Sequence, residues 1–129
     1  MDGRTTDRAR TAAQRAGDAA EELAARRLIE LGWTVLARNV HVGRREVDLV
    51  AIDPGPPPAL VVVEVRWRRR RDFGLAEETI DHRKRRHLHE AGYALLDGLP
   101  LPDGSPVPAL PLRFDLVVVE PAQGPATNR

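Results

Sequence analysis

A single α/β domain, a mixed sheet flanked by helices, is predicted by three observations. The apolar pattern runs helical, then extended three times, then helical, then extended, the order α-β-β-β-α-β. The composition, 42% hydrophobic and 30% charged, is that of an ordinary soluble globule. The length of 129 residues suits one core and is too short for two full domains. The domain is expected over residues 12–120, with 1–11 and 121–129 as flexible tails.

Each element has its own signal. Thr11 to Leu31 reads as a helix, because Gly17, Glu21, Ala24, Leu28 and Leu31 recur at helical spacing along one seam. Gly32 ends it. The small residues Gly17, Ala20 and Ala24 would let this helix lie close on a sheet. Trp33–Val40, Arg45–Ile52 and the valine-rich Leu60–Arg66 read as strands. Asp81 is a fitting N-cap for a helix that runs to about Leu96, with Gly98 just beyond. Leu112–Val119 is the last strand. Proline-rich stretches, Asp53–Pro58 and Asp97–Pro111, separate these elements.

Several classes are excluded. There is no cysteine, so no disulfide scaffold, thiolate zinc site or cysteine nucleophile. The longest apolar run is five residues, Ala59 to Val63, so neither a membrane-spanning helix nor a signal peptide is expected and the compartment expected is the cytoplasm. Gly3, Gly43 and Gly74 form no phosphate-cradling loop. His41, His82, His87 and His89 lack metal-ligand spacing.

Net charge is +1, yet the cations are clustered. Five arginines fall within Arg66–Arg71, and four basic residues within Arg83–Arg86, including Lys84, the one lysine of the chain. Local clusters on a near-neutral chain suggest a phosphate-binding patch. A set of solvated faces is the plainer alternative.

The acids are more informative. If the loop between the second and third strands centres on Pro56, Ile52 faces Leu60 and Asp48 faces Glu64. Facing residues of an antiparallel pair have Cβ atoms about 5 Å apart. Two carboxylates there repel each other unless a cation joins them, and Mg²⁺ or Mn²⁺ accepts such oxygen ligands. Glu46 and Asp48 are expected on one face, as are Glu64, Arg66 and Arg68. Glu21 lies on the apolar seam of the first helix, where a carboxylate needs a partner: a metal, its water or an arginine. Structural salt bridges, such as Glu64 with Arg45, are the competing reading. Trp67, on the face opposite Glu64, is expected in the core or against a helix. Asp115 is expected to pair with a nearby arginine.

At these residues the chain resembles a family. AAEELAARRLIELGWTVLARNV, REVDLV, VVVEVRWR, FG, RKRRHL and RFDLVVVE, in this order and spacing between Arg15 and Glu120, look like the YraN-type proteins. The resemblance implies a restriction-endonuclease-like fold similar to archaeal Holliday-junction resolvases, with the PD-(D/E)XK nuclease pattern. Carried over, it implies Glu21, Asp48, Glu64 and Arg66 as catalytic residues, with Asp48 and Glu64 as ligands of Mg²⁺ or Mn²⁺. It further implies a DNA substrate of linear or branched form, a role in recombination or repair, and a homodimer. Arg68, Arg69, Arg70, Arg71, Lys84 and Arg86 are then the expected nucleic-acid contacts.

Two positions depart from the family pattern. Arg66 stands where the third motif has lysine, and Arg45 where glycine usually precedes the second motif. Arginine stays protonated, so Arg66 can stabilise charge on a phosphate but cannot serve as a base. Lys84, on the seam Lys84, Leu88, Ala91 and Leu95, could reach towards Glu64 and Arg66 instead. The leading expectation is therefore a metal-dependent endonuclease. A catalytically silent nucleic-acid-binding module and a protein-interaction adaptor remain the alternatives.

Overall fold

The computed structural model describes residues 11–68 and 82–120. The elements follow the expected order: α1 (Ala12–Glu30), β1 (Thr34–Val42), β2 (Arg45–Asp53), β3 (Ala59–Trp67), α2 (His82–Leu96) and β4 (Leu112–Val119). They form one small α/β domain with a four-stranded mixed sheet in the order β1-β2-β3-β4. Residues 1–10 and 121–129, expected as tails, lie outside the described residues, as do Arg69–Arg71, Phe73, Gly74 and Asp81. Thr11, at which the first helix is expected to begin, caps α1. Its Oγ1 accepts from the Gln14 amide at 3.0 Å, and its own amide donates to Gln14 Oε1 at 2.7 Å.

The core explains the run of five apolar residues. Strand β3 is covered on both faces, so it has no polar face to alternate with. Leu60 and Val62 pack with Leu88, Ala91 and Leu95 of α2. Ala59, Val61 and Val63 pack with Ala24, Ala25 and Leu28 of α1. The sheet thus lies between two helices. Close approach to α1 rests on Ala20, Ala24 and Ala25, all buried. Gly17 plays no part in it, because a Cβ there would meet nothing within 4 Å. Leu31 also leaves the expected seam: it is the C-cap of α1 and is 54% exposed. The glycine that does permit close packing is Gly92, where a Cβ would lie 3.0 Å from Leu112 Cδ2 and 3.1 Å from Phe114 Cε1. This one brings α2 onto β4.

The hairpin register is the one arithmetic predicts. Ile52 pairs with Leu60, and the ladder runs from Asp53↔Ala59 to Leu49↔Val63. There it stops, although both strands continue. Strand β3 stays paired with parallel β4 as far as Trp67↔Val119. So β2 and β3 part at Asp48 and Glu64, while the other side of β3 remains closed.

A second irregularity lies beside that split. Arg38↔Leu49 and Val40↔Val47 are successive pairs of the β1–β2 ladder, which leaves Asn39 and Asp48 between them. Asn39 has φ 51°, a left-handed conformation rare for residues other than glycine. The strands turn over at this point. Leu49 belongs to the α1-side core, and Val47 and Val40 to the α2-side core. Simple alternation, which would put Val47 and Leu49 on one face, fails here for that reason. We expect Asn39→Val to destabilise the fold by about 1–2 kcal/mol, since a β-branched side chain clashes at positive φ. Asn39→Gly should lie within a few tenths of a kcal/mol of wild type, as left-handed φ suits glycine. Urea denaturation of the two variants checks this.

Candidate functional site

The split between β2 and β3 is filled by a carboxylate. The Val65 amide donates to Asp48 Oδ2 at 2.7 Å. The amides of Leu60 in β3 and of Arg68 just past its end point to the β4 side, donating to the Pro111 and Val119 carbonyls. The Val65 amide therefore points to β2, where the ladder has ended. Without Asp48 it would lose its partner, at a cost typical of an unmade buried hydrogen bond.

Glu64 is the neighbouring residue and, among the described residues, the one charged side chain in the fully buried class, 5% exposed. Its Oε1 is buried without a hydrogen-bond partner among the described residues. Its Oε2 lies 3.5 Å from Lys84 Nζ, which reaches down from the first turn of α2. Burial pushes the Glu64 carboxyl up to about 7, and the charge of Asp48 pushes the same way; Lys84 and Arg66 oppose the rise. Arg45, the alternative salt-bridge partner for Glu64, is engaged elsewhere, with Glu90 of α2 at 2.7 Å.

Glu21 comes to the same acid from α1. Its carboxyl is also pushed up to about 7, by burial first, then by the charge of Asp48 and a hydrogen bond to it. Asp18 and Glu46 add to the rise. The three acids singled out in the sequence thus converge, with Asp48 between the two glutamates. The convergence is not a complete metal cage: no group of three or more acids and imidazoles among the described residues could hold a metal ion alone. Asp48 and Glu64 match the other common mode, in which one or two carboxylates hold a hard cation and water or phosphate completes the shell.

The cations divide into two groups. Lys84 lies at the acids, and Arg66 is half-buried close enough to Glu64 to lower its pKa. Arg68, expected to point with them, instead binds Glu120 beyond β4, its Nε donating to Oε2 at 2.7 Å. An acid placed one residue past the last strand captures it. Arg83, Arg85 and Arg86 are exposed on α2. Asp115 does pair with an arginine, accepting from Arg113 Nε and Nη2 at 2.9 Å each. Trp67 is 38% exposed rather than in the core.

Sequence reasoning missed two features beside the acids. His87 lines an open cleft of ≈ 430 Å³ together with Arg44, Arg45, Glu46, Lys84 and Leu88. His89 stacks on Phe114, ring centroids 3.9 Å apart. Neither showed in ligand spacing; both follow from where α2 sits.

An α/β domain whose sheet opens over one buried and two half-buried carboxylates is the class that fold and site define. The chain belongs to a family within it: residues 20–119 match the profile described as "Uncharacterised protein family UPF0102", the YraN family. It is 41% identical over 108 residues to the UPF0102 protein of Symbiobacterium thermophilum, covering 84% of each chain. It is 41% identical over 105 residues to that of Roseiflexus castenholzii, covering 81% of this chain and 78% of the relative. With that of Pseudomonas paraeruginosa the match is 38% over 124 residues, 96% and 91% of the two chains.

The raised glutamates make a sign-specific prediction. Folding lifts both carboxyls from 4.5 to about 7, so the folded state binds more protons than the unfolded one between those values. Stability therefore falls as pH rises from about 4.5 to 7. The advantage is full below the unfolded pKa and gone above the folded one. Chemical denaturation from pH 4 to 8 in chelator should show this decline from the site. Glu21→Gln and Glu64→Gln should each flatten it, and Glu64→Gln should raise stability at pH 8 by on the order of 1 kcal/mol.

Proposed function

We propose that this protein binds nucleic acid and hydrolyses its phosphodiester bonds with a divalent metal ion held by Asp48 and Glu64. One observation carries the reading. Two carboxylates come together where the sheet opens, one of them buried and with an oxygen that has no hydrogen-bond partner among the described residues. Desolvated like charges destabilise a fold unless a cation joins them. An all-oxygen donor pair suits Mg²⁺ or Mn²⁺.

When bound, such an ion supplies Lewis-acid polarisation of a phosphate and a more acidic water. The chain's own residues would do the rest. Asp48, fixed by the Val65 amide, keeps its carboxylate at a set position in the split. Glu21 would orient the attacking water from the α1 side. Arg66 would offset charge on the phosphate and, always protonated, leaves proton acceptance to other groups. Lys84 would hold Glu64 in place. The position of Arg66 favours one second reading, a module that binds nucleic acid without cutting it. An α/β chain in which no described helix is long and apolar enough to cross a membrane suits either reading.

Two measurements test the proposal. Purified protein with Mn²⁺ or Mg²⁺ should cleave at least one of a panel of labelled linear and branched DNAs. Asp48→Asn together with Glu64→Gln should abolish cleavage and, by calorimetry, Mn²⁺ binding. Equal Mn²⁺ binding by wild type and the double variant would overturn the metal site. Retained DNA binding with no cleavage of any substrate would leave the silent module.

A further inference from the structure

The cleft beside the acids has a composition of its own. Arg44 projects from the two-residue turn Gly43–Arg44 that joins β1 to β2. Lys84, His87 and Leu88 come from α2, and Arg45 and Glu46 from the start of β2. Three of the six lining residues are permanent cations, and an imidazole and a leucine complete the α2 wall. Arg44 makes no ion pair with a described side chain, and is exposed at the rim. Lys84 belongs to both places: it lines the cleft and touches Glu64 at 3.5 Å. A ligand in the cleft therefore lies one side chain away from the carboxylates.

We infer that this cleft receives one unpaired nucleotide of the nucleic-acid strand, next to the bond to be cut. The inference rests on the proposed function and adds the form of the substrate. The phosphate sits between Arg44 and Lys84, and the base lies against His87 and Leu88. Phosphates on the outside of a duplex meet protruding cations. A recess between a turn and a helix, with an imidazole and an apolar residue on its wall, suits a nucleotide whose base is free to turn inward and stack. The phosphate chemistry is common to DNA and RNA, and the probes below separate them.

The test is binding in chelator, with no metal and no cleavage. Fluorescence anisotropy is read with labelled oligothymidylate, oligouridylate and a duplex DNA, across salt. Arg44→Ala should weaken binding to single strands and lower the salt slope by about one, with Arg44→Lys restoring the slope. His87→Ala should weaken single-strand binding roughly fivefold or more and leave the duplex unchanged; His87→Phe, which keeps a stacking face, should bind as wild type. Arg85→Ala, exposed on α2 and outside the cleft, is the control for charge alone. Preference for one single strand identifies DNA or RNA as the source. Equal losses for Arg44→Ala and Arg85→Ala, equal effects of His87→Ala on duplex and single strand, or no single-strand binding at all would each overturn the inference. None of these bears on Mn²⁺ binding by Asp48 and Glu64, so the two proposals fail separately.

Discussion

The hydrogen bond from the Val65 amide to Asp48 is the contact on which the rest of the site depends. A sheet that opens between two central strands exposes backbone groups that the ladder would otherwise satisfy. Here β3 keeps its partner on one side through Trp67↔Val119 and loses it on the other after Val63. A side-chain carboxylate replaces the missing main-chain acceptor. The same carboxylate then sits between Glu21 and Glu64, and its charge helps raise both. One residue thus closes the split and makes it electrostatically tense. The tension is tolerable because the valine strand behind it is buried on both faces and cannot relax outward.

The two glutamates meet different surroundings. Glu21 has Asp48, Asp18 and Glu46 around it, all acids. Glu64 has Asp48 on one side and Lys84 and Arg66 on the other. Burial raises both carboxyls, but they differ in their neighbours: acids alone add to the rise of Glu21, whereas Lys84 and Arg66 partly offset Asp48 at Glu64. That difference comes from which helix packs on which face. It is absent from net charge, which is close to zero.

Much of this was legible in the chain. The pairing of Ile52 with Leu60 followed from a symmetric loop, but the ladder ends at Leu49↔Val63, and Asp48 accepts from the Val65 amide where a cross-strand pair with Glu64 was expected. The place of Glu21 followed from helical spacing, and that of Lys84 from its seam with Leu88, Ala91 and Leu95. What was hidden depended on departures from regular periodicity or on distant partners. Asn39 turns two strands over, which no alternation rule foresees. Arg68 is captured by Glu120, fifty-two residues away in sequence. Trp67 is exposed at the end of β3, and Gly92 rather than Gly17 meets the opposing side chains. The cleft joins a turn to a helix remote in the chain, so its residues never stood together in a motif.

The arginine count has to be weighed against what the arginines already hold. Arg38 and Arg26 are on Glu22, Arg27 on Glu30, Arg45 on Glu90, Arg68 on Glu120, and Arg113 on Asp53 and Asp115. Each pair is partly exposed and individually weak, but each ties a cation to an acid that a phosphate would have to outcompete. Most described arginines of the sheet and of α1 therefore serve the fold's own acids. Those left towards solvent, Arg44 and the exposed Arg83, Arg85 and Arg86, lie at the β1–β2 turn and the start of α2. These two elements both line the cleft beside the acids. A near-neutral chain can in this way present a locally basic face, provided that its acids are concentrated on the arginines elsewhere.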